Sequence, residues 1–150
     1  MADVGITDLK RMALNWLSRR DYSEAQLSQR LARQGGERAD IAQVIEWCKA
    51  ENYLSQQRFI EMLVRSRVNK GYGLNYIVQE CRLQNISREQ VQQCALQLNV
   101  DWFNVALKLY EKKYGQTEVT EYKDKLKRMA YLQRRGFSNE QIQFAINQTE

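Results

Sequence analysis

The 150-residue chain contains no proline and no histidine. At ordinary usage, roughly 5% of residues, a chain of this length would hold about seven prolines. Their absence excludes proline-rich linkers and polyproline ligand segments, and it leaves helices free to run without a built-in break. Without histidine there is no Ser-His or Cys-His catalytic pair, no imidazole metal ligand and no imidazole pH switch. Cysteine is scarce: Cys48, Cys81 and Cys94 form no C-x-x-C pair. Each stands at helical spacing from apolar neighbours, as in Val44, Ile45 and Cys48, which reads as buried free thiols in a reducing compartment. No run of about 18 apolar residues and no leader-like segment at the N-terminus is present, so a cytoplasmic protein that does not engage a membrane is expected.

What the chain does contain is charge and apolar residues in helical register. Lys plus Arg is 23 and Asp plus Glu is 18, a net +5, and hydrophobic residues make up 43%, enough for a core. The excess is spread in sequence: 8 basic and 7 acidic groups in residues 1–50, 6 and 4 in 51–100, 9 and 7 in 101–150. This balance favours an acidic partner, nucleic acid or a negatively charged protein, without naming it.

Leu9, Met12, Ala13, Trp16 and Leu17 repeat at i, i+3, i+4, i+7 and i+8. Ile41–Cys48, Leu74–Cys81, Val91–Leu98, Trp102–Tyr110 and Ile142–Ile146 carry comparable stripes, and sustained period-2 alternation is missing. The pattern predicts an all-α protein of about nine helices, near 8–19, 24–34, 40–51, 56–69, 74–84, 88–98, 102–114, 121–135 and 139–148.

The breaks share one grammar: a residue tolerant of positive φ or a small polar one, then an apolar residue, then an N-cap. They read Asp21-Tyr22-Ser23, Asn52-Tyr53-Leu54-Ser55, Asn85-Ile86-Ser87, Asn99-Val100-Asp101 and Gly136-Phe137-Ser138. Gln26, Gln90 and Gln141 follow three of these caps at capping-box spacing. Tyr22/Leu27, Leu54/Phe59, Ile86/Val91 and Phe137/Ile142 have the spacing of hydrophobic staples. The segment Leu17–Leu27 aligns without a gap on Leu132–Ile142. Such self-similarity predicts three tandem three-helix repeats, 1–54, 55–100 and 101–150, joined without a linker. Modules of about 50 residues bury too little surface alone, so they are expected to stack into an elongated, curved array.

Catalytic signals are poor. Gly71-Tyr72-Gly73 follows a helix and lacks a third glycine, so it reads as a helix-terminating turn and not as a nucleotide loop. No metal, cofactor or catalytic residue is expected, and an enzyme is not. Binding signals are better. Arg65, Arg67, Lys70 and Tyr72 form a cationic stretch with a tyrosine expected to be exposed. The competing account is that cations there simply complement the helix dipole. Arg19, Arg20, Lys112 and Lys113 are secondary candidates, beside Arg134, Arg135 and the alternating Lys123, Lys125, Lys127 and Arg128. The amide-rich faces Gln90, Gln92, Gln93, Gln97 and Asn139, Gln141, Gln143, Asn147 leave direct reading of DNA open.

The run Val44-Ile45-Glu46-Trp47-Cys48, Asn52-Tyr53-Leu54, Arg58-Phe59, Arg65, Arg67, Lys70-Gly71-Tyr72-Gly73, Ile77, Glu80 and Ile86-Ser87-Arg88-Glu89 resembles the RecX family. Asp101-Trp102, Lys113-Tyr114-Gly115 and Tyr131–Gly136 extend the resemblance over almost the whole chain. Asn52 and Asn85 stand where the family pattern has glycine, Ser55-Gln56 where it has an acidic pair, and Leu74 where it has proline. Asn can adopt the same left-handed conformation as glycine, so the backbone roles are expected to survive. The resemblance implies three tandem three-helix repeats in a curved, elongated molecule, and a monomer is expected. It also implies a regulator that binds RecA recombinase and its nucleoprotein filament, limiting filament growth or stability. RecA ATP hydrolysis, strand exchange and co-protease activity would be suppressed. Some family members bind DNA, so single- or double-stranded DNA stays open as a further partner. The alternative function is a direct DNA-binding protein, transcription-factor-like in its three-helix modules; a structural adaptor for another acidic protein is a third.

Overall fold

A computed structural model describes residues 4–115 and 117–148. Those residues form nine helices and no strands: α1 (Ile6–Leu17), α2 (Glu24–Arg33), α3 (Arg38–Ala50), α4 (Gln56–Asn69), α5 (Leu74–Arg82), α6 (Arg88–Gln97), α7 (Trp102–Tyr114), α8 (Tyr122–Arg134) and α9 (Asn139–Asn147). Each agrees within a few residues with the periodicity of its apolar stripe.

Helix ends follow the local chemistry. Asn52, Asn85 and Asn99 adopt φ of 61°, 59° and 56°, and Gly136 adopts 100°. At each, the next N–H reaches back to a carbonyl five residues earlier, for example Tyr53 to Cys48 at 2.8 Å and Ile86 to Cys81 at 3.0 Å. This closes the last helical turn around a left-handed residue and satisfies carbonyls that the helix itself cannot. Asp21 is the small polar member of the series. It is not in the positive-φ region, and the α1 end is closed instead by Ser18 and Arg19 donating to Leu14 and Trp16. All three capping boxes form. Ser23, Ser87 and Ser138 accept from the amides of Gln26, Gln90 and Gln141 at 3.0, 3.2 and 3.2 Å, and the glutamine side chains accept the serine amides in return. Asp101 caps α7 by accepting from Asn104 at 3.2 Å. Every residue of the four staples is buried.

The chain divides into two compact units, the first ending at Met62 and the second beginning at Leu63. In the first, α3 packs on both α1 and α2. Its core is built from Leu9, Ala13, Leu27, Leu31, Val44 and Cys48, all without exposed surface. Lys49 spans Glu24 and Glu46 across this unit at 3.0 and 3.5 Å. In the second, α5 packs on α6, while α9 packs on α7 and α8. Ala106, Tyr110, Leu132, Ala145 and Ile146 make up the driest part of its C-terminal core. The three cysteines are buried thiols outside any disulfide among the described residues, and burial pushes the Cys81 thiol up to about 11.

Within the second unit two turns interlock. The amide of Gly73 donates to the Arg135 carbonyl at 2.7 Å and that of Asn75 to the Gly136 carbonyl at 3.0 Å. A Cβ on Gly73 would lie 2.5 Å from the Gly136 oxygen, and one on Gly136 would lie 2.5 Å from the Tyr76 nitrogen. Only two glycines let these backbones approach so closely.

Candidate binding groove

The α4–α5 turn sits at one end of a groove in the second unit. Helix α4 closes on Gly71, at φ +84°, with Tyr72 N–H donating to the Arg67 carbonyl at 2.9 Å. A Cβ at Gly71 would meet Leu109 Cδ1 at 2.8 Å, so the turn is pressed against α7. The groove, about 880 Å³, runs between the C-terminal half of α4 and the solvent-facing side of α7. Its floor is aliphatic: Val64 and Leu109 are buried, and Val68, Leu98, Val100 and Val105 are half-buried. Arg65, Lys70, Lys108, Lys112, Lys113 and Arg135 border it.

Helical spacing explains the stripe on α7. Asn104, Lys108 and Lys112 recur every fourth residue, as do Val105, Leu109 and Lys113 one position on, so adjacent rows present cations and floor together. Among the described residues none of the six cations lies within 4.0 Å of a carboxylate. The one acid in the lining, Asp101, accepts from Asn104 N–H as the α7 cap. Six cations against one carboxylate give the lining a net +5, drawn from residues far apart along the chain.

The sequence candidates divide accordingly. Arg65, Lys70, Lys112 and Lys113 come together at the groove. Arg67 and Tyr72 belong to the turn behind it. Arg67 grips Glu80 with two hydrogen bonds, Nε to Oε1 at 2.5 Å and Nη2 to Oε2 at 2.9 Å. The Glu80 hydrogen bond holds the Arg67 pKa above its usual value. Tyr72, expected to be exposed, is half-buried: it stacks on Tyr76 at 4.0 Å and carries the Arg135 guanidinium over its ring at 3.7 Å. Arg19 and Arg20 lie exposed in the first unit. Arg20 covers Tyr22 at 3.7 Å and donates to Gln26 at 3.4 Å.

The structure places two further residues. Lys108 borders the groove, and its spacing four before Lys112 is the signal for it in the sequence. Arg128, grouped with the surface lysines of α8, is only 4% exposed. It donates through Nη1 to the Tyr110 hydroxyl at 2.7 Å and the Thr117 carbonyl at 2.9 Å, and through Nη2 pairs with Asp124 at 3.0 Å. Burial opposes its charge, and the Tyr110 and Asp124 contacts outweigh it, raising its pKa. No group of three or more acidic or thiol side chains is placed to hold a metal among the described residues. None of their helices is long and apolar enough to cross a membrane.

Sequence models of the RecX first, second and third three-helix domains match residues 10–48, 55–94 and 99–146 in that order. The chain belongs to the RecX family. The regulatory protein RecX of Vibrio parahaemolyticus is 36% identical over 138 residues, covering 92% of this chain and 89% of that protein. The RecX of Serratia proteamaculans is 32% identical, with 92% and 95% covered. The crystal structure of RecX from Lactobacillus salivarius superposes with a TM-score of 0.81 over 96% of both chains at 20% identity, the same fold in a distant sequence. RecX proteins carrying this architecture are regulatory proteins by name, and the three-helix domain is their repeating unit.

Proposed function

We propose that this chain regulates a RecA recombinase, binding RecA and RecA–DNA filaments and restraining ATP hydrolysis, strand exchange and co-protease activity by limiting filament growth or stability. Family membership across all three helical domains supports the reading. The observation that carries it to a surface is the unneutralised cationic groove, suited to an acidic protein near DNA phosphates. In this reading the protein acts in the cytoplasm as a monomer, without a catalytic step, by occupying a surface. Arg65, Lys70, Lys112 and Lys113 make the contacts, Arg67 and Tyr72 hold the turn that presents them, and Arg19 and Arg20 make a separate contact on the first unit.

The test is RecA ATPase on single-stranded DNA with substoichiometric protein, read beside filament length by light scattering. Inhibition with shortened filaments is expected, and an unchanged rate and length would sink the reading. Substituting Arg65→Ala together with Lys70→Ala should relieve inhibition while circular dichroism stays unchanged.

Direct binding of DNA is the competing reading, favoured by the same charge. Against base recognition, Gln90 and Gln141 spend their side-chain oxygens in capping boxes. A DNA-binding protein would hold duplex without RecA, with a log–log salt slope of about −0.9 per phosphate contacted.

A further inference from the structure

We infer that the groove between α4 and α7 receives an acidic amphipathic helix of a protein partner, seated by its apolar face and steered by its carboxylates. The inference rests on the regulatory reading above for the owner of that helix, and adds the chemistry the owner must present.

Three observations converge on this occupant. The floor is an aliphatic strip, Val64 and Val68 of α4 with Val105 and Leu109 of α7, less exposed than Arg65, Lys70, Lys108, Lys112 and Lys113 at its border. Aliphatic strips of this kind take side chains recurring at i, i+3, i+4 and i+7. The second observation is length. The lining of α7 runs from Asn104 to Lys113, a rise of about 14 Å at 1.5 Å per residue. That accommodates about two and a half turns of helix, or some nine residues. The third is charge: exposed Lys108 and Lys112 stand on one side, and Arg65 and Lys70 on the other. Cations on both rims fit carboxylates flanking an apolar stripe on both sides.

Nucleic acid fits less well. A single strand binds by stacking bases on aromatic faces as well as by its phosphates. The one aromatic residue in the lining, Tyr131, has its face covered by Lys113 at 5.0 Å and its surroundings closed by Tyr114 in an edge contact at 6.1 Å. Phosphates would satisfy the rim and leave the aliphatic floor without a partner.

The experiment uses the full chain and three fluorescent probes in anisotropy titrations at low and moderate salt. One is a twelve-residue peptide with Leu at i, i+3, i+4 and i+7 and Glu elsewhere. The second replaces every Glu by Gln, and the third is a twelve-nucleotide oligo-dT. The acidic peptide should bind, the Gln peptide at least about tenfold more weakly, and the oligonucleotide should fail to displace the acidic peptide. The double substitution Lys108→Glu with Lys112→Glu should weaken the acidic peptide by about tenfold or more at unchanged thermal stability. Because these residues are exposed, the fold should tolerate the reversal. Val105→Asn should weaken it independently of salt. No binding of the acidic peptide, binding indifferent to the charge reversal, or displacement by oligo-dT would each overturn the proposal. RecA inhibition by the unaltered chain is scored separately, so the regulatory reading and the groove occupant fail on different measurements.

Discussion

Arg135 ties the end of α8 to the turn after α4: its guanidinium lies 3.7 Å from the centroid of the Tyr72 ring, and its Nε donates to the Gly71 carbonyl at 3.4 Å. Its Nη2 donates in turn to the Lys70 carbonyl. One side chain thus holds both the tyrosine and the backbone of the turn that borders the groove. A double-mutant cycle of Arg135→Ala and Tyr72→Ala, followed by urea unfolding, should give a coupling energy of about 1 kcal/mol. Arg135→Lys should not restore it, because an ammonium cannot stack flat on the ring while reaching two carbonyls.

Arg67 should prove a residue of the fold. Its two bonds to Glu80 are partly shielded, with the two side chains 25% and 29% exposed, and bidentate geometry fixes the start of the turn against α5. Replacing it with alanine is expected to cost about 1–2 kcal/mol in urea unfolding. At temperatures where the variant stays folded, RecA ATPase inhibition should persist, in contrast to the loss expected for Arg65→Ala with Lys70→Ala.

Gly73 is required for steric reasons alone. Its φ of −91° is open to any residue, yet a methyl group there would sit 2.5 Å from one backbone atom of Gly136 and 2.6 Å from another. Gly73→Ala should therefore destabilise the second unit by about 2–3 kcal/mol in calorimetry. Gly5, whose added Cβ would meet nothing within 4 Å, serves as the control. Gly5→Ala creates no clash and loses only part of the α1 N-cap preference, so it should cost about 1 kcal/mol or less.

Cys81 gives stability a dependence on alkaline pH. Burial, reinforced by Glu80, raises its thiol from 9.0 to about 11, so the folded state holds the proton more tightly than the unfolded chain does. Its contribution is fully present below pH 9 and is lost as pH rises toward 11. The urea midpoint of the native chain should fall more between pH 8 and pH 10.5 than that of Cys81→Ala, whose lower stability should lack this component. Equal slopes for the two proteins would contradict the assignment.

Helix number, helix type and most of the turns are legible in the sequence because their causes are local. An Asn that can adopt positive φ, an apolar residue and a serine with Gln three positions on specify a helix end and the next start within a handful of residues. Asn52 and Asn85 show that the glycine role survives substitution. Asp21 shows the limit of the same rule, since a polar residue at that position is compatible with more than one way of closing a helix. Buried cysteines were equally legible, from their place on apolar stripes.

Placement of charge was decided only by tertiary structure. In sequence the excess reads +1, +2 and +2 over successive thirds, and Arg65, Lys108 and Arg135 lie on three separate helices or their ends. Packing of the second unit brings them around one aliphatic floor, while pairing each of Arg67 and Arg128 with its own carboxylate. The reason is physical: an arginine's role depends on whether a carboxylate lies within a few ångströms, and that distance is set by contacts far apart along the chain. Apolar periodicity and cap residues determined that this molecule is built from helices, and a sequence without histidine supplies no imidazole chemistry. Which of its 23 cations are left free to meet a partner was determined by the fold.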